Sequence, residues 1–300
     1  MRTKKSILVT GIHRSGSTWV GSVIAANTKV DSIVEPLNLN RIKRFQKFAV
    51  NAWNIMLLPD SKGHQAEETL SLYKFYRDVN YIDCVTHFFS PYENHSLSVS
   101  FVKRLRKASK PIKLFKDPTA LFAAPFLVKK LNVIPVVLIR HPAAFVLSVV
   151  EKKWRFNFQE LLKQPHFFEG HLKVYENEVV SFAVNDKEVS LIENASLAWK
   201  VFHAQILHYK NCYPEWYFVT HESLSMHPIE EYKKMFAYLQ IPFTEKVRAY
   251  IDKSTQPVIE TDRLRNAAKN SFKWKDIFNA KELETIYRIT NPIASKFYDV

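Results

Sequence analysis

Ser6-Ile-Leu-Val-Thr10-Gly11-Ile12-His13-Arg14-Ser15-Gly16-Ser17-Thr18-Trp19 is the stretch whose reading decides the fold. The β-branched run Ser6–Thr10 reads as a strand, a glycine-bearing turn follows, and residues 17–26 carry a helical pattern. Small residues let backbone N–H groups close around an anion, and a helix N-terminus adds unpaired N–H groups and the positive end of its dipole. Glycine usage sharpens the reading. Average usage would put roughly 20 glycines in a chain of this length. It has five, and Gly11, Gly16 and Gly21 are three of them. A chain that avoids glycine elsewhere is building unusual backbone here. With Arg14, Ser15, Ser17 and Thr18 in the same turn, the loop reads as a phosphate cradle.

Further strands are expected at 112–115, 133–139 and 216–220. The run Pro135-Val-Val-Leu-Ile139 is apolar on both faces, as a central parallel strand should be. Helical patterns follow at 142–153, with Pro142 at the first helical position, and at 228–239. Strand, loop and helix in repetition predict an α/β fold: one domain over 1–300 with a central parallel sheet flanked by helices. Insertions around 41–110 and 154–190 are expected as helices and loops over the top of the sheet.

Composition narrows the function. With 47% hydrophobic and 24% charged residues among 300, the chain has ample core, which excludes a disordered or low-complexity chain. A net charge of +14 suggests an anionic partner. No nucleic-acid-binding motif accompanies it, so no nucleic-acid partner is expected. Cys84 and Cys212 are the only cysteines, too few for a disulfide framework or a four-cysteine zinc site. No metal is expected. Near Met1 the apolar run is only Ile7-Leu-Val9, too short for a signal peptide or spanning helix, so a soluble, cytoplasmic chain is expected.

Three kinds of phosphate loop can be compared. A nucleoside-triphosphate loop reads G-x-x-x-x-G-K-[ST]. Here that frame is kept, but Ser17 stands where the lysine belongs and the basic residue is Arg14, inside the loop. A nucleotide kinase would need that lysine. The G-x-G-x-x-G dinucleotide fingerprint is absent. The stretch Ile-His-Arg-Ser-Gly-Ser-Thr-Trp (12–19) resembles the 5′-phosphosulfate loop of sulfotransferases that use 3′-phosphoadenosine-5′-phosphosulfate (PAPS). Cytosolic members carry lysine in this loop; Golgi carbohydrate and tyrosylprotein members carry arginine, as here.

Three further stretches are similar to the same family, in the same order. Val136-Val-Leu-Ile-Arg140-His-Pro142 with Ser148 has the spacing of the arginine and serine that bind the nucleotide's 3′-phosphate. Arg140 leaves a strand C-terminus, where open α/β sheets bind ligands, and an arginine fork suits a terminal phosphate. Lys152, four residues beyond Ser148 on the expected helix face, adds charge there. In Leu114-Phe-Lys116-Asp117-Pro118, the resemblance implies a lysine at the sulfate, while Asp117 is expected to cap the next helix. A looser C-terminal match at Ser254-Thr255, Lys269 and Lys273-Trp274 implies a segment that closes over the nucleotide, with Ser254 joining the catalytic set. Val219-Thr-His-Glu222-Ser-Leu224 is similar to the family's Tyr-Glu-Asp-Leu stretch, with His221 in place of tyrosine, and reads as scaffold.

The resemblance implies sulfuryl transfer, with PAPS as co-substrate. His13, Arg14, Ser15, Gly16, Ser17, Thr18 and Trp19 are then donor-binding residues, and Arg14 and Lys116 the cations for the leaving oxygen. Glu35, in Val34-Glu35-Pro36-Leu37, stands 21 residues past Arg14 after the first helix and its following strand. Tyrosylprotein enzymes place a catalytic glutamate at that spacing, and Golgi carbohydrate enzymes carry a similar Glu-Pro-Leu. Glu35 is therefore the expected general base, with His13 and His87 as other candidates. A glycan or glycolipid acceptor, as for a bacterial precursor enzyme, is favoured on the Glu-Pro-Leu similarity; a small phenolic or lipid alcohol is the rival. Trp53, Tyr73, Phe75, Tyr76 and Phe88-Phe89 are available to line an acceptor cleft or to fill core. The basic strips at 41–47 and 103–107 are available to bind a polyanion, attract the donor, or face solvent.

Overall fold

The computed structural model describes residues 5–40, 42, 48–78, 110–255 and 271–299. Lys269, His87, Phe88-Phe89 and, Ile42 apart, the two basic strips lie outside the described residues.

Five parallel strands form one sheet in the order β2-β3-β1-β4-β5. They are β1 (Lys5–Gly11), β2 (Val30–Val34), β3 (Ile112–Lys116), β4 (Val133–Ile139) and β5 (Tyr217–Thr220). Alternate residues of the inner strands are apolar in both directions, so each face buries its own core. Ile7, Val9, Leu114, Val136 and Leu138 face one; Leu8, Phe115, Val137 and Ile139 face the other. Pro135 is tolerated inside β4 because β5 pairs with β4 only from Val136 onward, so the proline sits where β4 has a neighbour on one side only.

Among the described residues the helices of eight residues or more are α1 (Ser17–Ala25), α2 (His64–Asp78), α3 (Ala124–Leu131), α4 (Pro142–Val150), α5 (Glu176–Val184), α6 (Leu191–Cys212), α7 (Pro228–Tyr238), α8 (Glu245–Thr255) and α9 (Ala280–Ala294). Val20 of α1, Tyr232 of α7 and Val247 of α8 pack on the first core, and α2 to α6 and α9 contribute to the second. The four expected strands are present to within a residue or two. The long helix α6 was not anticipated, although its start was written in the sequence. Ser190 and Glu193 form a reciprocal capping box.

The two insertions hold each other. Gln164 accepts the Met56 N–H at 2.9 Å and donates to the Trp53 carbonyl at 3.0 Å. Among the described residues no helix is long and apolar enough to cross a membrane.

β2 lies on β3 with Asp31 opposite Lys113 and Val34 opposite Lys116. The Asp31–Lys113 ion pair, 2.8 Å, is almost fully buried and fixes that register. The C-terminal ends of β1, β2, β3 and β4 thereby bring residues 11–19, 35, 116–117 and 140 to one edge of the sheet.

Candidate active site

The loop after β1 turns tightly, with the Ser15 N–H donating to the Ile12 carbonyl at 3.1 Å. Arg14 takes a left-handed φ of 69° and Gly16, which caps α1, a φ of 96°. A Cβ on Gly16 would lie 2.4 Å from Cδ2 of His221, so the glycine is required by contact as well as by conformation. Gly21 answers a different need. The stem of Lys116 crosses α1 there, and a Cβ would come within 2.8 Å of its Cγ.

Arg140 leaves β4 and donates through Nη1 to the Arg14 carbonyl. Its own carbonyl accepts the Trp199 indole N–H at 2.8 Å. Burial pulls its pKa down to about 10, against the nearby charge of Glu222. Glu222 accepts from the His141 N–H at 3.1 Å and from the Tyr298 hydroxyl at 2.9 Å. Burial raises its pKa. His141 stacks on Trp274, ring centroids 4.5 Å apart. Arg14 reaches in the opposite direction: its Nε donates to Ser148 Oγ at 2.9 Å, and its guanidinium carbon lies 5.6 Å from the centroid of Trp154. The structure thus brings Arg14, Arg140 and Ser148 together. Arg140 Nε and Ser15 Oγ are buried polar atoms with no hydrogen-bond partner among the described residues. Unpaired polar atoms at this depth are costly without a ligand. With two arginines and a glycine-turned loop, this donor set fits an anionic nucleotide.

Other expected donor residues are placed differently. Trp19 donates to Ser254 Oγ at 3.0 Å and packs edge-on against Tyr232. Ser254 also donates to the Ile251 carbonyl. It therefore stands on the Trp19 side of the loop, bonded to neither Lys116 nor Glu35. Lys152 is exposed in the turn beyond α4, which ends at Val150, so the expectation that it shares a helix face with Ser148 is corrected. Lys273 forms an exposed ion pair with Glu151 at 2.5 Å. Thr18 is exposed, whereas Ser17 is buried.

The opposite end is built from residues far apart in sequence. Glu35 follows β2 with a left-handed φ of 53°, its N–H bonded to the Lys116 carbonyl at 2.7 Å. Its Oε1 pairs with Lys116 Nζ and its Oε2 accepts from Asn38 Nδ2 at 2.9 Å. Burial alone would raise the Glu35 carboxyl. The hydrogen bonds from Lys116 and Asn38, with the charges of Lys116 and His13, outweigh it and hold the group below its ordinary value. A non-glycine residue held in this conformation at a charged cleft edge is the kind of strain that functional sites retain.

Asp117 locks the arrangement. It caps the turn at Pro118–Ala123 through the Thr119 N–H, as expected, and also accepts from the Leu37 N–H at 2.8 Å and the Tyr73 hydroxyl at 3.0 Å. Fully buried, Asp117 has its pKa raised by desolvation. Tyr73 is also fully buried, so it belongs to the support under the site and lines no cleft; Phe75, Tyr76 and Trp53 are half-buried. His13 is half-buried beside Glu35, Lys116 and Arg14, and desolvation lowers its pKa to about 4. Among the described residues no group of His, Cys, Asp or Glu is arranged to hold a metal ion.

Sequence reasoning missed Asn38, Trp199 and Tyr298. Trp199 and Tyr298 act on Arg140 and Glu222 through contacts across 59 and 76 positions, which no local motif announces.

Comparison with known proteins bears on the fold and the family. No curated protein matches the chain. Among solved structures, a sulfotransferase domain from the Synechococcus PCC 7002 olefin synthase shares the fold at 15% identity, with 99% of this chain and 95% of that one covered and a TM-score of 0.53. A sulfotransferase domain from the curacin biosynthetic pathway matches at 16% identity over 95% and 96% of the two chains, TM-score 0.49. A mouse sulfotransferase complexed with PAP (the desulfated donor) matches at 12% identity over 100% and 86%, TM-score 0.45. The profile of the sulfotransferase domain family matches residues 4–291, nearly the whole sequence, and the chain belongs to that family.

Proposed function

We propose that this sulfotransferase moves a sulfuryl group from PAPS to an acceptor hydroxyl on a carbohydrate or glycolipid, with Glu35 as general base. The observation that carries the reading is the Glu35–Lys116 pair standing beside His13 of the phosphate loop. It puts an ionised carboxylate and a cation at the loop where the donor's phosphosulfate would lie.

The chemistry follows from these residues. Ser15 Oγ, the backbone N–H groups of 16–18 and the N-terminus of α1 hold the 5′-phosphate. Arg140 and Ser148 hold the 3′-phosphate, and the unpartnered Arg140 Nε supports that role. Trp19, tied to Ser254, flanks the nucleotide. Lys273 and Lys269 belong to the segment assigned to closure over the nucleotide, and Lys152 adds charge at its 3′ side. Glu35 takes the acceptor proton as the new S–O bond forms. The old S–O bond breaks with its electron pair staying on the phosphate oxygen, where Arg14 and Lys116 balance the charge. As in phosphoryl transfer, positioning and electrostatics supply most of the acceleration.

The test uses sulfur-labelled PAPS with a panel of glycans, a lipid alcohol and 4-nitrophenol. Label on a glycan is the expected result. Label only on the phenol or the lipid alcohol would overturn the acceptor class and keep the reaction. An unused donor across the panel, with no PAP binding, would overturn the donor.

A further inference from the structure

Glu35 has two oxygens with two different partners. Oε1 is paired with Lys116, and Oε2 is held by Asn38 at 2.9 Å. Resting on the reading of Glu35 as base, the contact that changes during transfer is the one to Lys116, because Lys116 is also the cation for the leaving oxygen and its shift toward that oxygen leaves Oε1 open to the acceptor proton. The other contact is built to persist. Asn38 is fastened to the same turn by its N–H, which donates to the Glu35 carbonyl at 3.2 Å, and by its Oδ1, which accepts from the Asn40 N–H at 3.1 Å. Both amide atoms are thereby oriented, with the NH2 directed at the carboxylate. The next residues back are fixed as well, since the Leu37 N–H is bonded to buried Asp117.

We propose that Asn38 is a positioning residue of the transfer reaction: it holds Oε2 of Glu35 while Lys116 releases Oε1 toward the transferring sulfonate, so that Oε1 receives the acceptor proton. Without this hold, a carboxylate on a left-handed backbone would be free to turn away or follow the lysine. The groups that bear electrostatically on Glu35 are Lys116 and Asp117 at the end of β3, and His13 of the phosphate loop.

Asn38→Asp separates this role from a structural one. Aspartate still accepts from the Asn40 N–H, so the turn is kept, but an ionised aspartate donates nothing to Glu35 and sets a like charge beside it. Asn38→Ala removes the donor without adding charge. The readouts are the carbon-13 NMR titration of the Glu35 carboxyl, assigned with Glu35→Gln, calorimetric PAP affinity, and the pH profile of PAPS turnover to PAP with water as acceptor. We expect PAP affinity within about twofold of the unaltered protein in both variants. The Glu35 midpoint should rise, by about one pH unit or more in Asn38→Asp, equivalent to a tenfold gain in proton affinity. The acid limb of turnover should move up with it, because the base works only when ionised, and the plateau rate should fall about tenfold. An unmoved Glu35 midpoint and acid limb, with PAP still bound, would overturn the proposal and leave Asn38 a turn residue. Failure of the unaltered protein to bind PAP would instead overturn the donor reading, and this role with it.

Discussion

The two ends of the site are made in different ways. The donor end joins two locally encoded pieces, a five-residue loop with the helix N-terminus after it and an arginine and serine eight positions apart, through contacts of Arg14 with Ser148 and Arg140 across 134 and 126 positions. The base end is assembled from afar. Glu35 meets Lys116 across 81 positions, Leu37 meets Asp117 across 80, and Tyr73 meets Asp117 across 44. The donor end presents backbone geometry and cations suited to an anion. The base end sets a buried carboxylate and a tyrosine beneath the turn that carries a second, partly exposed carboxylate. Binding and proton transfer should therefore fail separately when the two ends are altered.

The sharpest way to break that comparison is Glu35→Gln. It should lower transfer about 10²- to 10⁴-fold, the range for loss of a general base, and leave PAP affinity nearly unchanged by calorimetry. A comparable loss of PAP binding would mean that the two ends are one.

Next in size is a test of the register beneath the base end. Lys113→Met strands Asp31 without its partner inside the sheet and should cost about 3–5 kcal/mol of stability. The double replacement Asp31→Leu/Lys113→Met should recover much of that in urea unfolding, since a buried ion pair is often no better than an apolar one. If the double variant is no more stable than the single one, the pair does more than fix β2 on β3.

Arg140→Ala acts at the other end. Losing charge-assisted hydrogen bonds to a phosphate should weaken PAP by about 10- to 100-fold. Turnover at saturating donor should change less. A fall in turnover with unchanged PAP affinity would move Arg140 to the base end.

The smallest effect isolates one contact. Gly16→Ala adds a Cβ 2.4 Å from His221 Cδ2 at a φ of 96°. The left-handed conformation alone should cost about 1–2 kcal/mol, and the clash adds to it. His221→Ala in the same chain should relieve the clash and leave the conformational cost. Equal melting temperatures for the single and double variants would show that His221 simply moves aside.

The asymmetry between the ends also explains what could be read without a structure. Four strands and the first loop were legible because hydrophobic runs and scarce glycines are local signals. Arg140 and Ser148 were legible as a spacing. Glu35 and Lys116 were legible only through the family resemblance, and their pairing was not legible at all. It depends on β2 lying beside β3, although 77 residues separate the end of β2 from the start of β3. Tyr73 illustrates the same limit. In sequence it is one aromatic among several near an insertion; in the fold it is the buried donor to Asp117. The expected helix-face position of Lys152 failed for a smaller reason, because α4 stops at Val150, two residues before it.

The most direct measurement is a calorimetric titration with PAP, set against ATP with Mg²⁺, at physiological salt. The account predicts that PAP binds at one site per chain while ATP·Mg²⁺ does not compete, because Ser17 stands where a triphosphate loop carries its lysine. Binding of ATP·Mg²⁺ without PAP would contradict it.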